Sequence, residues 1–252
     1  MGDSYSILAN WYDELMGDFD YSKLSEFCCD AINKYSPNIP KQILDLGCGT
    51  GSLSVLMAKK GYDITGIDLS NEMLALASAK ANNLNLKIKY ACEDMAYLDV
   101  GHGYGAAICS LDGLNYLLDK ESLSSCISRV YSSLADGGLF IFDVNSEFRY
   151  KTIYADNSYV YDLGDLFMVW RNYYKSSTGK CNFYLTFFEK NGKQWTRRDE
   201  VQVQKYHSEK LLTKILTETG FEILNISQGP EFDNNDSEYK QYYICRKKTK
   251  KW

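Results

Sequence analysis

The residues best suited to chemistry in this chain stand in one short run, Ile43-Leu44-Asp45-Leu46-Gly47-Cys48-Gly49-Thr50-Gly51, with Asp68 following in Gly66-Ile67-Asp68-Leu69. Glycines let a backbone turn tightly and let a ligand approach main-chain atoms with no Cβ in the way. An acid at the end of a second strand can accept both hydroxyls of a ribose in charge-assisted hydrogen bonds. A dinucleotide site wants G-x-G-x-x-G, with pyrophosphate at the helix N-terminus. Here the third glycine position holds Ser52, and glycine falls one residue earlier at Gly51. Asp45 also sets a carboxylate before the loop, which repels pyrophosphate and suits an adenosine ligand bearing an ammonium and a sulfonium.

Such a loop has meaning only between a strand and a helix, and the surrounding pattern predicts both. A helix is expected from Asp20 to Tyr35, where Leu24, Phe27, Cys28 and Ile32 recur at helical spacing and Asp20 can cap. Pro37 and Pro40 break the chain. Strands are expected at Gln42–Leu46, Asp63–Leu69, Leu86–Cys92, Ala106–Leu111 and Leu139–Val144. Helices are expected between them at Ser52–Lys60, Asn71–Ala81 and Glu121–Leu134, the last stopping at Gly137-Gly138. This alternation predicts a parallel sheet covered on both faces. From Tyr159 to Tyr206 the pattern changes to two-residue alternation with turns at Leu163-Gly164-Asp165, Ser177-Thr178-Gly179 and Asn191-Gly192, an inserted antiparallel meander. A helix at Ser208–Thr219 and strands at Phe221–Ile226 and Tyr239–Cys245, joined by a turn around Pro230, close the chain.

Bulk properties narrow the partners. The 252 residues are 45% hydrophobic and 24% charged with three prolines, which suits an ordered α/β chain. A formal charge of -5 gives no global field for phosphate backbones, so a small-molecule partner is favoured over nucleic acid. Eight cysteines without any C-x-x-C give zinc and redox readings no support, and no metal is expected. Reduced cysteines, no apolar leader and no membrane-length apolar run lead to an expected cytoplasmic location. Met1-Gly2-Asp3-Ser4-Tyr5-Ser6 fits the N-myristoylation pattern formally and is read as an ordinary exposed start.

Asp45-Leu46-Gly47-Cys48-Gly49-Thr50-Gly51 resembles the signature loop of class I, Rossmann-like, S-adenosylmethionine-dependent methyltransferases. Asp68 matches the ribose-binding acid of that family, and Cys92-Glu93-Asp94-Met95 matches the segment that meets adenine. Ala107-Ile108-Cys109-Ser110-Leu111 fits the fourth strand beside the reactive methyl, and Leu134-Ala135-Asp136-Gly137-Gly138-Leu139 the turn into the fifth. The resemblance implies a seven-stranded sheet of order 3-2-1-4-5-7-6 with strand 7 antiparallel and helices on both faces. It implies S-adenosylmethionine as cofactor, held by Tyr5, Tyr12, Asp45, Gly47, Cys48, Gly49, Gly51, Asp68, Leu69, Met73, Asp94, Met95, Ser110 and Leu111. The expected organisation is an N-terminal lid and helix (1–36), a cofactor-binding domain (37–148 and 207–252) and an inserted substrate-covering subdomain (149–206).

The opening from Tyr5 to Met16, with Asp20-Tyr21, is similar to the lid of small-molecule methyltransferases such as sugar-amine N-methyltransferases and glycine N-methyltransferase. Tyr12, Tyr21, Asn115 and Gln202 are the candidates lining methyl and acceptor. Relatives often carry a histidine in an E-x-H-x-Q pattern at the end of the insert. Glu200-Val201-Gln202-Val203-Gln204 has glutamine there, which orients but cannot act as a base near neutrality. His102 and His207 read as exposed or helix-end residues. The expected activity is in-line methyl transfer to an amine or hydroxyl of a small molecule, in a monomer or homodimer. An RNA or protein methyltransferase, or an inactive cofactor-binding module, is the alternative on the same fold. D/N-P-P-Y and Pro-Cys motifs are both missing, and the basic run Arg246 to Lys251 reads as a solvated tail.

Overall fold

The computed structural model describes residues 7–228 and 239–248. Tyr5, the myristoylation-like start and the turn around Pro230 lie outside these residues. Helix α1 is Ala9–Leu15 and α2 is Tyr21–Tyr35, whose start is capped by Asp20 accepting from the Lys23 amide at 3.0 Å. The alternating units follow as β1 (Gln42–Leu46), α3 (Ser52–Lys59), β2 (Asp63–Asp68), α4 (Asn71–Asn83), β3 (Lys89–Cys92), β4 (Tyr104–Cys109), α5 (Lys120–Ser133) and β5 (Leu134–Asn145). After β5 come a single turn, α6 (Glu147–Arg149), and a second sheet of β6 (Ser158–Asp162), β7 (Leu166–Lys175), β8 (Lys180–Asn191) and β9 (Gln194–Lys205). The chain returns through α7 (Glu209–Thr219), β10 (Phe221–Gln228) and β11 (Lys240–Lys247).

The large sheet has the order β10-β11-β5-β4-β1-β2-β3, with β11 antiparallel to both neighbours. This is the Rossmann-like order expected. Its central strands are buried on both faces, so β4 reads as a small and apolar run and β1 as an apolar run broken only by the buried Asp45. Ile43, Ile108 and Ile141 face Leu24, Cys28 and Ile32 of α2 and Met57 of α3. Leu44, Ala107 and Phe140 face Cys126 and Val130 of α5 and Leu216 of α7 on the other side. Burying one leucine or isoleucine side chain contributes about 1.5–3 kcal/mol, so these two layers dominate the fold's stability.

The second sheet is an antiparallel meander whose three turns fall at the three expected places. One of its faces packs Phe183, Leu185 and Phe187 on Tyr150 and Tyr154, and Trp11 and Leu15 of α1 lean on the same cluster.

Several boundaries move for identifiable reasons. β3 begins at Lys89, not Leu86, because the helix before it runs on to Asn83 and Asn85 turns through a positive φ. β4 stops at Cys109, since Leu111 is left-handed. Gly137-Gly138 does not stop α5; the helix ends at Ser133 and both glycines lie in the irregular start of β5. Arg246 and Lys247 are strand residues, not a solvated tail: Arg246 pairs with Glu222 at 2.7 Å and Lys247 donates to the Leu134 carbonyl at 2.7 Å. All eight cysteines are free thiols, five of them buried.

Candidate functional site

The loop from Gly47 to Gly51 leaves the end of β1 and enters α3. Gly47, Gly49 and Gly51 all have positive φ (64°, 53° and 74°), a region that costs other residues energy. Their surroundings differ. A Cβ on Gly51 would come within 2.5 Å of the Tyr90 hydroxyl and 2.9 Å of the Ala77 Cβ, so this glycine serves packing. A Cβ on Gly49 would meet nothing within 4 Å, so its outer side is open to a ligand. The Cys48 amide donates to the Ile67 carbonyl at 3.0 Å, tying the loop to β2.

Asp68 ends β2 and accepts from the Gly49 amide at 2.8 Å and the Ser70 amide at 2.9 Å. Burial raises its pKa, and these amides counter that by favouring the charged form. Asp45, buried at the end of β1, accepts from the Ser54 hydroxyl at 2.5 Å. Burial pushes its carboxyl up to about 7, against the Ser54 bond, with Asp68 adding repulsion. Leu69 stands 65% exposed beside Asp68, an apolar surface an adenine ring could cover. Met73, by contrast, is 2% exposed, its side chain enclosed by the protein. Asp94 is half-buried after β3 and accepts from the Ala96 amide at 2.8 Å, and Met95 packs toward Gly47.

The opposite edge is built from side chains. Ser110 is half-buried, and the turn after it holds Leu111 and Asp112 at φ 55° and 58°. Left-handed non-glycine residues store roughly 1–3 kcal/mol each. Asp143 of β5 accepts from both their amides, at 2.6 and 2.9 Å. Lys240 lies between Asp143 (2.9 Å) and Asp112 (3.0 Å), and Gln204 donates to Asp112 at 2.5 Å. Burial pulls the Lys240 ammonium down, but the two carboxylates more than reverse this and hold it charged. Gln204 also accepts from Asn145 and from the Tyr150 hydroxyl.

Asn115 is fully buried, and its amide is committed to backbone at both ends. It donates to the Lys205 carbonyl at 2.8 Å and accepts from the Asn145 amide at 2.9 Å, clasping β5 to β9. Gln202 accepts from the Tyr116 hydroxyl at 2.9 Å and donates to Glu200 at 2.7 Å. Glu200 in turn accepts from the Ile7 and Leu8 amides at the start of α1. The hydroxyls of Tyr12 and Tyr21 are hydrogen-bonded to each other. Burial pushes Tyr21 up to about 12 and Tyr12 well above its ordinary value, so both remain neutral phenols.

Helix α1 spans the two edges. Asp13 accepts from Thr50 at 2.5 Å and pairs with Lys80 at 2.8 Å on the loop side. Trp11 donates to Glu189 at 3.0 Å on the insert side. His207 is buried just before the α7 cap, where burial lowers its pKa to about 4, and His102 is exposed. The histidines are therefore not drawn together, whereas Asp45, the glycines, Asp68 and Leu69 are.

Sequence reasoning missed Asp112, Asp143, Gln204 and Lys240. One signal was present: Glu200, Gln202 and Gln204 alternate along β9 on the face that apolar residues should occupy.

A methyltransferase domain family model matches residues 43–138. Over 226 residues the chain is 34% identical to a protein of Geobacillus sp. (strain WCH70) named as a methyltransferase, spanning 89% of this chain and 91% of that one. It is 29% identical to YqeM of Bacillus subtilis, also named as a methyltransferase, over 88% of each chain. The crystal structure of an S-adenosylmethionine-dependent methyltransferase from Clostridium acetobutylicum superposes with a TM-score of 0.85 at 29% identity, covering 97% of this chain and 99% of that one. The amino pentose methyltransferase of Micromonospora echinaspora shares the fold, with a TM-score of 0.74 at 16% identity over 94% of this chain and 96% of its own. With this sheet order, this glycine loop and these relatives, the chain belongs to the class I S-adenosylmethionine-dependent methyltransferases.

Proposed function

We infer that the enzyme methylates a small molecule, at an amine or hydroxyl, and that the acceptor lies between the glycine loop and the inserted sheet. The observation that carries this reading is α1, which bonds to the loop through Asp13 and to the insert through Trp11 and Glu200. A helix tied at once to the loop and to the insert would suit a compact acceptor held beneath it better than a polymer. The fold shared with an amino pentose methyltransferase supports the same class.

The residues present fit S-adenosylmethionine: an open glycine at 49, acids at 45 and 68, and an exposed apolar surface at Leu69. Asp45 would face the amine end, Asp68 the ribose hydroxyls, and Asp94 with the Met95 amide the adenine. Gly47, Cys48 and Gly49 would supply the cradle, with Gly51 packed behind it, and Leu69 would flank the base with the enclosed Met73 only backing that surface. Ser110 and Leu111 would bound the sulfur end. When bound, this group supplies an electrophilic methyl on a sulfonium.

The protein's part is then alignment and exclusion of water, which can contribute up to about 7–11 kcal/mol. Tyr12 and Tyr21, as neutral phenols, orient the acceptor by hydrogen bonds and do not take its proton. Gln202 is an orienting amide fixed by Tyr116 and Glu200. With His207 buried and neutral, an amine acceptor would attack through its free lone pair and release its proton to solvent after transfer, and a hydroxyl acceptor would have to release its proton to solvent as well.

A thermal-shift screen of amines and alcohols with S-adenosylhomocysteine present, followed by product mass measurement, tests this. A product one methyl heavier is expected. Turnover on RNA or protein with none on small molecules would overturn the reading.

A further inference from the structure

Two successive left-handed residues that are not glycine, Leu111 and Asp112, follow β4. Such backbone persists only where its surroundings over-determine it. Those surroundings come from far along the chain: Asp143 of β5, Gln204 of β9 and Lys240 of β11. Each oxygen of the two carboxylates has a donor. Asp143 Oδ1 takes the Leu111 amide, and its Oδ2 takes the Asp112 amide and Lys240 Nζ. Asp112 Oδ1 takes Lys240 Nζ and its Oδ2 takes Gln204 Nε2. Asp143 is 2% and Lys240 4% exposed, so one cation separates two like charges in a site almost without water. Without it the carboxylates would repel, and the turn would lose the grip on its amides.

We propose that Lys240 and Asp143 are positioning residues for methyl transfer, locking the Leu111-Asp112 turn so that the rim from Ser110 to Asp112 meets cofactor and acceptor in one fixed shape. They act through the turn and not by touching the reacting atoms. This rests on the functional reading above for what the rim meets, but the lock itself is a property of the chain alone.

Amide hydrogen exchange, read residue by residue in the full-length chain, separates the two. In Lys240→Met the Leu111 and Asp112 amides are expected to exchange at least about tenfold faster, with amides of β1 unchanged. If the locked turn then persists in roughly a tenth of molecules, affinity for S-adenosylhomocysteine falls about tenfold. Lys240→Arg, which keeps the cation, is expected to recover most of both. Asp143→Asn, which removes one charge at constant size, is expected to loosen the same two amides and decides the matter if Lys240→Met does not fold. Unchanged exchange at Leu111 and Asp112 in a folded Lys240→Met or Asp143→Asn variant overturns the proposal. Failure of the wild-type chain to bind S-adenosylhomocysteine would instead overturn the functional reading, with the exchange result still deciding the lock.

Discussion

The two halves of the sheet's carboxyl edge are made of different material. At the ends of β1 and β2 the surface is main chain: three left-handed glycines, free space over Gly49, and an acid held by two backbone amides, one of them in the glycine loop. At the ends of β4 and β5 it is side chain: two carboxylates, a lysine, two asparagines and two glutamines, each hydrogen-bonded to a residue from another element. A backbone site tolerates change around it and demands particular conformations. A side-chain network tolerates conformational detail and demands that every partner be present. The first suits a ligand that never varies, the second one that varies between relatives.

The contrast breaks most visibly at Asn115. Asn115→Ala should strip the Lys205 carbonyl and the buried Asn145 amide of their partners and cost about 2–6 kcal/mol in urea unfolding, at about 1–3 per orphaned group. An effect no larger than a surface substitution would mean the network is not cooperative. On the other half, Gly51→Ala should cost about 2–4 kcal/mol, combining left-handed strain with the contact on Tyr90. Gly49→Ala, with nothing to strike, should fold with a loss near 1 kcal/mol yet bind S-adenosylhomocysteine poorly by calorimetry. Equal thermal shifts for the two variants would erase the distinction between a packing glycine and a cradle glycine.

Asp68→Ala should weaken S-adenosylhomocysteine binding by about 1.5–3 kcal/mol, the worth of a hydrogen bond to a charged group. The acid at 45 sharpens the comparison through pH. Its carboxyl is raised to about 7, so the ionised form that a ligand ammonium prefers is mostly lost at pH 5.5. Affinity should rise about 20-fold from pH 5.5 to 7.5, and Asp45→Asn should flatten that rise. For stability the sign is opposite. The folded pKa exceeds the unfolded one, so Asp45 favours the folded chain most at acid pH and loses that contribution as pH climbs from about 4 to 7.

Those two halves also differ in how much of them can be read before folding. That Asp45, Gly49 and Asp68 come together is legible in residue order, because the glycine spacing records the turn between β1 and α3. Strand–helix alternation gave the covered parallel sheet, while its order came from the resemblance to class I methyltransferases and is the order observed. Lys240 could not be assigned to Asp112, which stands 128 residues away, nor Gln204, 92 residues away, since side-chain pairing across a fold leaves no periodic trace. Asn115 stands at a position expected to line the pocket, but its amide joins backbones of β5 and β9, a role its residue type does not signal. The bounds of β3, β4 and β5 depart from the hydrophobic pattern where positive φ at Asn85, Leu111 and Gly137 bends the chain, and at Leu111 residue type gives no sign of it.

β9 delivers Glu200 to the opening helix, Gln202 to Tyr116 and Gln204 to Asp112, all from alternate positions of one strand. Shifting that strand by a single residue would turn all three outward at once and present Val201, Val203 and Lys205 in their stead. Evolution of acceptor preference along β9 is thereby confined to replacing side chains one at a time. A change in strand length there would forfeit helix, phenol and turn together.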